Sequence, residues 1–189
     1  MKFYKFSNKK LLKKNLNKKL FLFLCENIKG SIFQLLGYDF FLNYYLKNNL
    51  EYIYISTNKS NLVSLVSYIT IKKEKELKKN IFFYLLKKPW LILSVFFNIS
   101  NYFKLIKTPS NYLQLFHLII IKSKLNKKIT KKQKYNFINN LHKKILQKNF
   151  KGIYAVHKNN NISASKYYKN NRYILFRKNL FFSVVFKNF

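Results

Sequence analysis

Asn161-Ile162-Ser163-Ala164-Ser165-Lys166-Tyr167-Tyr168-Lys169-Asn170-Asn171-Arg172-Tyr173 is the stretch on which the reading of this chain turns. The asparagines Asn159-Asn160-Asn161 offer side-chain acceptors to the free N–H groups of a first helical turn. Their position predicts a capped helix over Ile162–Lys169. Short apolar runs flank it: Gly152–Val156 before, Arg172–Arg177 and Leu180–Phe186 after, each predicted as a strand. Upstream, Phe137, Ile138, Leu141, Ile145 and Leu146 recur at three- and four-residue steps and predict an amphipathic helix from Tyr135. The basic stretch Lys122–Lys134 precedes it as a loop. Before that, Gln114–Ile121 is a continuous apolar run suited to a buried strand. Strand, helix and strand across 114–156 form a crossover unit, which is right-handed as a rule.

The first half adds the other edge of a sheet. Glu51–Ser56 alternates tyrosine and isoleucine, Thr57–Asn61 is a turn, and Leu62–Ile71 returns, so an antiparallel hairpin is expected. Leu20–Ile28 and the stretch from Leu35 to Asn48-Asn49 read as helices. Residues 1–19 read as a basic arm or a first helix, and 20–189 as one domain. Lys72–Lys79 is charged, and helical runs continue to Lys107 with a break at Pro89. The expected fold is a mixed α/β sheet flanked by helices, with a helical insertion at about 74–107.

Composition narrows the function classes. The chain has 189 residues, 38 Lys or Arg against 5 Asp or Glu, and a formal charge of +33. Hydrophobic residues make up 49% and aromatics 19%, enough to bury a core despite the charge. One cysteine, Cys25, excludes a disulfide-stapled scaffold. Only Arg172 and Arg177 among the basic residues are arginine, and Ala, Gly and Pro are scarce. AT-rich codons produce that pattern, so part of the charge reflects genome composition, as in an organelle or a reduced bacterium. After Glu76 there is no acid at all. The longest uncharged stretches, Pro89–Phe103 and Pro109–Ile121, fall short of the about 20 apolar residues a spanning helix needs. A cytoplasmic or organelle-matrix location is expected. One cysteine and three scattered histidines have no metal-ligand spacing.

The order of elements and the Asn161–Tyr173 block resemble the GNAT-type N-acetyltransferases, whose last motif is written N-x-x-A-x-x-F-Y-x-x-x-G-F. Asn161, Ala164, Tyr167, Tyr168 and Tyr173 agree in spacing, whereas Arg172 stands in place of the glycine. Leu36-Gly37-Tyr38-Asp39-Phe40-Phe41-Leu42-Asn43-Tyr44-Tyr45 is similar to a helix of bacterial members linked to surface-sugar synthesis. The resemblance implies a mostly antiparallel sheet, acetyl-CoA as co-substrate, and an amine acceptor, a small molecule or a sugar. It implies that Tyr168 protonates the leaving thiolate and that Asn161 lies near the pantetheine arm. The backbone around Leu118–Ile120 would hold the thioester. The family's phosphate loop falls on Leu125-Asn126-Lys127-Lys128-Ile129-Thr130, where Lys127, Lys128 and Thr130 would meet the phosphates and both glycines are missing.

The base is less defined. The position of the family's glutamate is occupied by Gln114, which does not titrate. His117, on the same strand, reads either as that base or as a hydrogen-bonded core histidine. His157 could face a cleft, and His142 reads as solvent-exposed. The lysine-rich stretches leave two rival readings. One is an RNA-associated structural protein of organellar ribosomal type with a relic acetyltransferase fold. The other is a protein held at an anionic membrane surface, since Ile81–Ile106 is apolar and flanked by lysines.

Overall fold

A computed structural model describes residues 4–6, 14–28, 31–58, 61–92, 109–120, 131–146, 150–180 and 182–189. Apolar alternation at 53–69 forms a hairpin, β2 (Ile53–Asn58) and β3 (Asn61–Ile69). β1 (Tyr4–Lys5) adds to its outer edge, antiparallel to β2, and Phe6 is buried beside it with its N–H donating to Ile53 O at 2.8 Å. The N-terminal arm is thus anchored into the sheet at its start. β4 (Tyr112–Ile120) pairs antiparallel with β3, and β5 (Gly152–Lys158) pairs parallel with β4. β7 (Phe182–Asn188) and β6 (Ile174–Lys178) complete one seven-stranded sheet in the order β1-β2-β3-β4-β5-β7-β6.

Helices cover both faces. On one lie α1 (Lys14–Asn27), α2 (Ile32–Phe40) and α3 (Ile71–Leu86); on the other lie α4 (Lys131–Leu146) and α5 (Ile162–Asn170). α2 bends at Gly37, whose φ of 83° and ψ of 177° belong to a region only glycine occupies comfortably. It continues through a π-helical turn, Phe41–Leu46, which carries Tyr45 into the core. The first core gathers Phe33, Phe40, Phe41, Tyr45, Leu77 and Ile81, among others; the second gathers Tyr68, Leu113, Leu115, Leu141, Ile145 and Tyr168.

Several boundaries differ from the sequence reading. Leu50–Tyr52 is a 3₁₀ turn, so β2 starts later than Glu51. Thr70 ends the returning strand because its side chain caps α3, accepting from Lys73 N–H at 3.3 Å, and Ile71 is helical. The helical reading holds through Leu86 and resumes at Trp90–Ile92, while positions 93–108 of the expected insertion lie outside the described residues. His142, read as exposed, is fully buried and packs edge-on against Tyr68 and Phe189, with ring centroids 5.7 and 5.6 Å apart. The buried face of α4 is Ile138, Leu141, His142, Ile145 and Leu146, and Phe137 is turned outward.

Candidate functional site

The site begins with an irregularity in β4. Ser67 is paired with His117 and Tyr68 with Leu115, so Phe116 is an extra residue that shifts the pleat by one. Phe116 and His117 therefore both face the first core, against Tyr45. Beyond the bulge, Leu118 turns to the same side as Leu113 and Leu115, and Ile120 follows it. β4 and β5 pair only from Tyr112↔Gly152 to Leu115↔Ala155. After that the two strands part: β4 continues to Ile120 along β3, and β5 to Lys158 along β7. Beyond Leu115, β4 has no strand partner on its β5 side among the described residues.

The second wall is α5. Asn161 caps it, its Oδ1 accepting from Ala164 N–H at 3.0 Å. The helical spacing then lays Asn161, Ala164 and Tyr168 on one line and Ser163, Tyr167 and Asn170 on the next. Together with Leu118, Ile120 and Tyr135 they line a cleft of about 520 Å³ that the described side chains leave open. The cleft lining has a lysine, Lys166, and no acid. Burial raises the Tyr168 hydroxyl well above the usual tyrosine range, and it raises Tyr167 further, with Tyr168 and Tyr135 adding to the effect. Both phenols hold their protons at neutral pH. His157 stacks on the Tyr168 ring at 5.3 Å and 26°, and its Nδ1 lies 3.0 Å from Lys158 O. A carbonyl can only accept, so Nδ1 carries the proton and Nε2 is the basic nitrogen.

Of the residues singled out in the sequence, Leu118, Ile120, Asn161 and Tyr168 meet at this cleft. His117 does not line it. Its Nδ1 lies 2.9 Å from Ser67 Oγ and 3.2 Å from the Tyr45 hydroxyl, and burial lowers its pKa to about 3. Gln114 is buried and accepts from the Tyr154 hydroxyl at 3.0 Å. Lys127, Lys128 and Thr130 lie outside the described residues. Tyr135 and Tyr167 have no role assigned from the sequence, although Tyr167 matches the motif spacing; Tyr135 lies in the second turn of α4, and Tyr167 is one helical turn from Ser163.

No protein-family model and no curated protein matches the sequence. Solved structures do match. A crystal structure of an acetyltransferase aligns with 100% of this chain and 99% of its own at a TM-score of 0.62 and 10% identity. An N-acetyltransferase from Staphylococcus aureus Mu50 aligns over 99% of this chain and 100% of its own, at 0.55 and 12%. A Desulfovibrio desulfuricans structure assigned to the GNAT family covers 99% and 98%, at 0.53 and 6%. The fold is that of the GNAT acetyltransferases. At such identities the likeness is one of fold, and in this GNAT fold the Asn161–Tyr173 block is the helix that follows β5 and the turn into β6.

Proposed function

We propose that this chain is an acetyl-CoA-dependent N-acetyltransferase that transfers an acetyl group to the amine of a small-molecule or sugar acceptor. One observation carries the reading: the strands β4 and β5 part after Leu115 and Ala155, and the open cleft there is lined by Leu118, Ile120, Asn161 and Tyr168. Acetyl-CoA supplies the acetyl group as an activated thioester. The backbone edge at Leu118–Ile120 offers N–H and C=O groups to the acyl-pantetheine portion, and Asn161 stands at the mouth of α5 beside it. Lys127, Lys128 and Thr130 are assigned to the phosphates, with lysine charge in place of a glycine loop.

In this reading the acceptor amine attacks the acyl carbonyl and the carbon–sulfur bond breaks. Tyr168, kept protonated by burial, passes its hydroxyl proton to the departing sulfur. The amine proton passes to solvent water; His157 stacks on the Tyr168 ring but is not among the residues that line the cleft. His117, on the opposite face of β4 and held neutral, stays outside the chemistry. The cleft that the described side chains leave open fits an acyl-pantetheine arm better than a relic whose cleft is filled.

Calorimetric titration of the purified chain with acetyl-CoA tests the reading. Saturable one-to-one binding is expected; no heat at millimolar ligand, together with RNA binding that weakens steeply with salt, would replace it with the RNA-associated alternative. With an amine acceptor found, Tyr168→Phe should lower kcat by roughly a hundredfold while leaving acetyl-CoA affinity unchanged.

A further inference from the structure

Helix α3 has a buried stripe, Leu77, Ile81 and Leu85, at four-residue steps against the first core. Its other side is exposed and changes character along its length. Lys72, Lys75 and Lys79 come first, then Phe82, Phe83 and Leu86, and Trp90 where the helix resumes after Pro89. Phe82 is 52%, Phe83 49%, Leu86 56% and Trp90 67% exposed. Single exposed apolar residues are ordinary, but four large ones within three turns form a patch. Exposed Lys87 adjoins it, and Lys79 Nζ sits 5.7 Å from the Phe83 ring centre. Of the two acids on this helix, Glu74 is held by Lys78 at 2.8 Å and by the Tyr154 hydroxyl at 3.3 Å, which leaves Glu76 as the exposed one.

We infer that this face seats the protein on an anionic lipid surface, with Phe82, Phe83, Leu86 and Trp90 in the acyl–headgroup boundary and the lysines among the headgroups. Two demands meet here: aromatic and aliphatic groups to be taken out of water, and cations to be matched with negative charge. A lipid surface answers both at once. A polyanion such as RNA would match the lysines and leave Phe82 and Leu86 wet. A second copy of the chain would cover the apolar groups but oppose two molecules of +33. The protein lies on the surface: no helix among the described residues is long and apolar enough to cross a membrane.

Trp90 is the chain's one tryptophan, so its fluorescence reports on this patch alone. The full chain is mixed with vesicles of phosphatidylcholine containing phosphatidylglycerol. A blue shift of the emission and co-sedimentation are expected, reversed at high salt. Phe82→Ser combined with Phe83→Ser should weaken binding at least about tenfold with the circular dichroism spectrum unchanged. Should that variant fail to fold, Lys75→Gln with Lys79→Gln gives the second reading, again as weakened binding. The inference falls if anionic vesicles produce no shift, or if pure phosphatidylcholine produces the same one. It also falls if the shift follows protein concentration without lipid, or appears with an oligonucleotide and not with vesicles.

Discussion

Arg172 stands with φ at 59°, in the left-handed region, directly after α5. A side chain there crowds the neighbouring carbonyl, and the resemblance puts glycine at this position. Since Arg172 is exposed, Arg172→Gly removes the strain and little else. It should stabilise the protein by about 1 kcal/mol, read as a melting temperature about 2–4 °C higher. His117 and His142 set a pH dependence. Burial lowers each to about 3, with Lys187 adding repulsion at His142. In the unfolded chain both titrate near 6.5, so between about 6.5 and 3 the unfolded state binds more protons and stability falls as pH falls. The slope is about 1.4 kcal/mol per pH unit for each ring, and above that window neither contributes one. Urea unfolding at pH 7, 6 and 5 should show the decline. His142→Phe should remove one ring's share of it, and it also removes Nε2, a buried nitrogen without a hydrogen-bond partner.

At the scale of elements, the seam between β4 and β5 is where the sheet is thinnest. Gly152 lies between Tyr112 on β4 and Asn188 on β7, and a Cβ there would come within 2.7 Å of Cε1 of Tyr112 and collide with the carbonyl of Lys187. Gly152→Ala should therefore cost about 1–3 kcal/mol, seen as a lower urea midpoint. The hairpin, the capped helix and the amphipathic helix were legible because each has its own period or cap. The orientation of α4 was legible only in part. His142 is four residues after Ile138 and three before Ile145, so it belongs to the apolar stripe, but an imidazole carries no apolar signal. The parting of β4 and β5 had no local mark either, since it depends on one bulged residue, Phe116, inside an unbroken apolar run. The cap at Asn161 was legible from the asparagine cluster, whereas a role for Tyr168 comes only from the family resemblance. That Leu118 and Ile120 share their side of the sheet follows from the bulge alone.

Across the whole molecule, two antiparallel blocks, β1 to β4 and β5 to β7, meet at four paired positions, and the second core, under α4 and α5, draws on strands of both. The acids all lie within the first 76 residues, and the ion pairs among the described residues, Lys73–Glu51 and Lys78–Glu74, each join one of them to a lysine of α3. The β5-facing side of β4 beyond Leu115 has a consequence in time. In the middle of a sheet, amides at Phe116–Ile120 that face the gap should exchange with deuterium about as quickly as those at a sheet's rim, while their neighbours bonded to β3 should exchange slowly. Along this one strand, fast and slow amides should alternate. Acetyl-CoA should slow the fast set and merge the two rates. If it left the alternation unchanged, the ligand would be binding somewhere else.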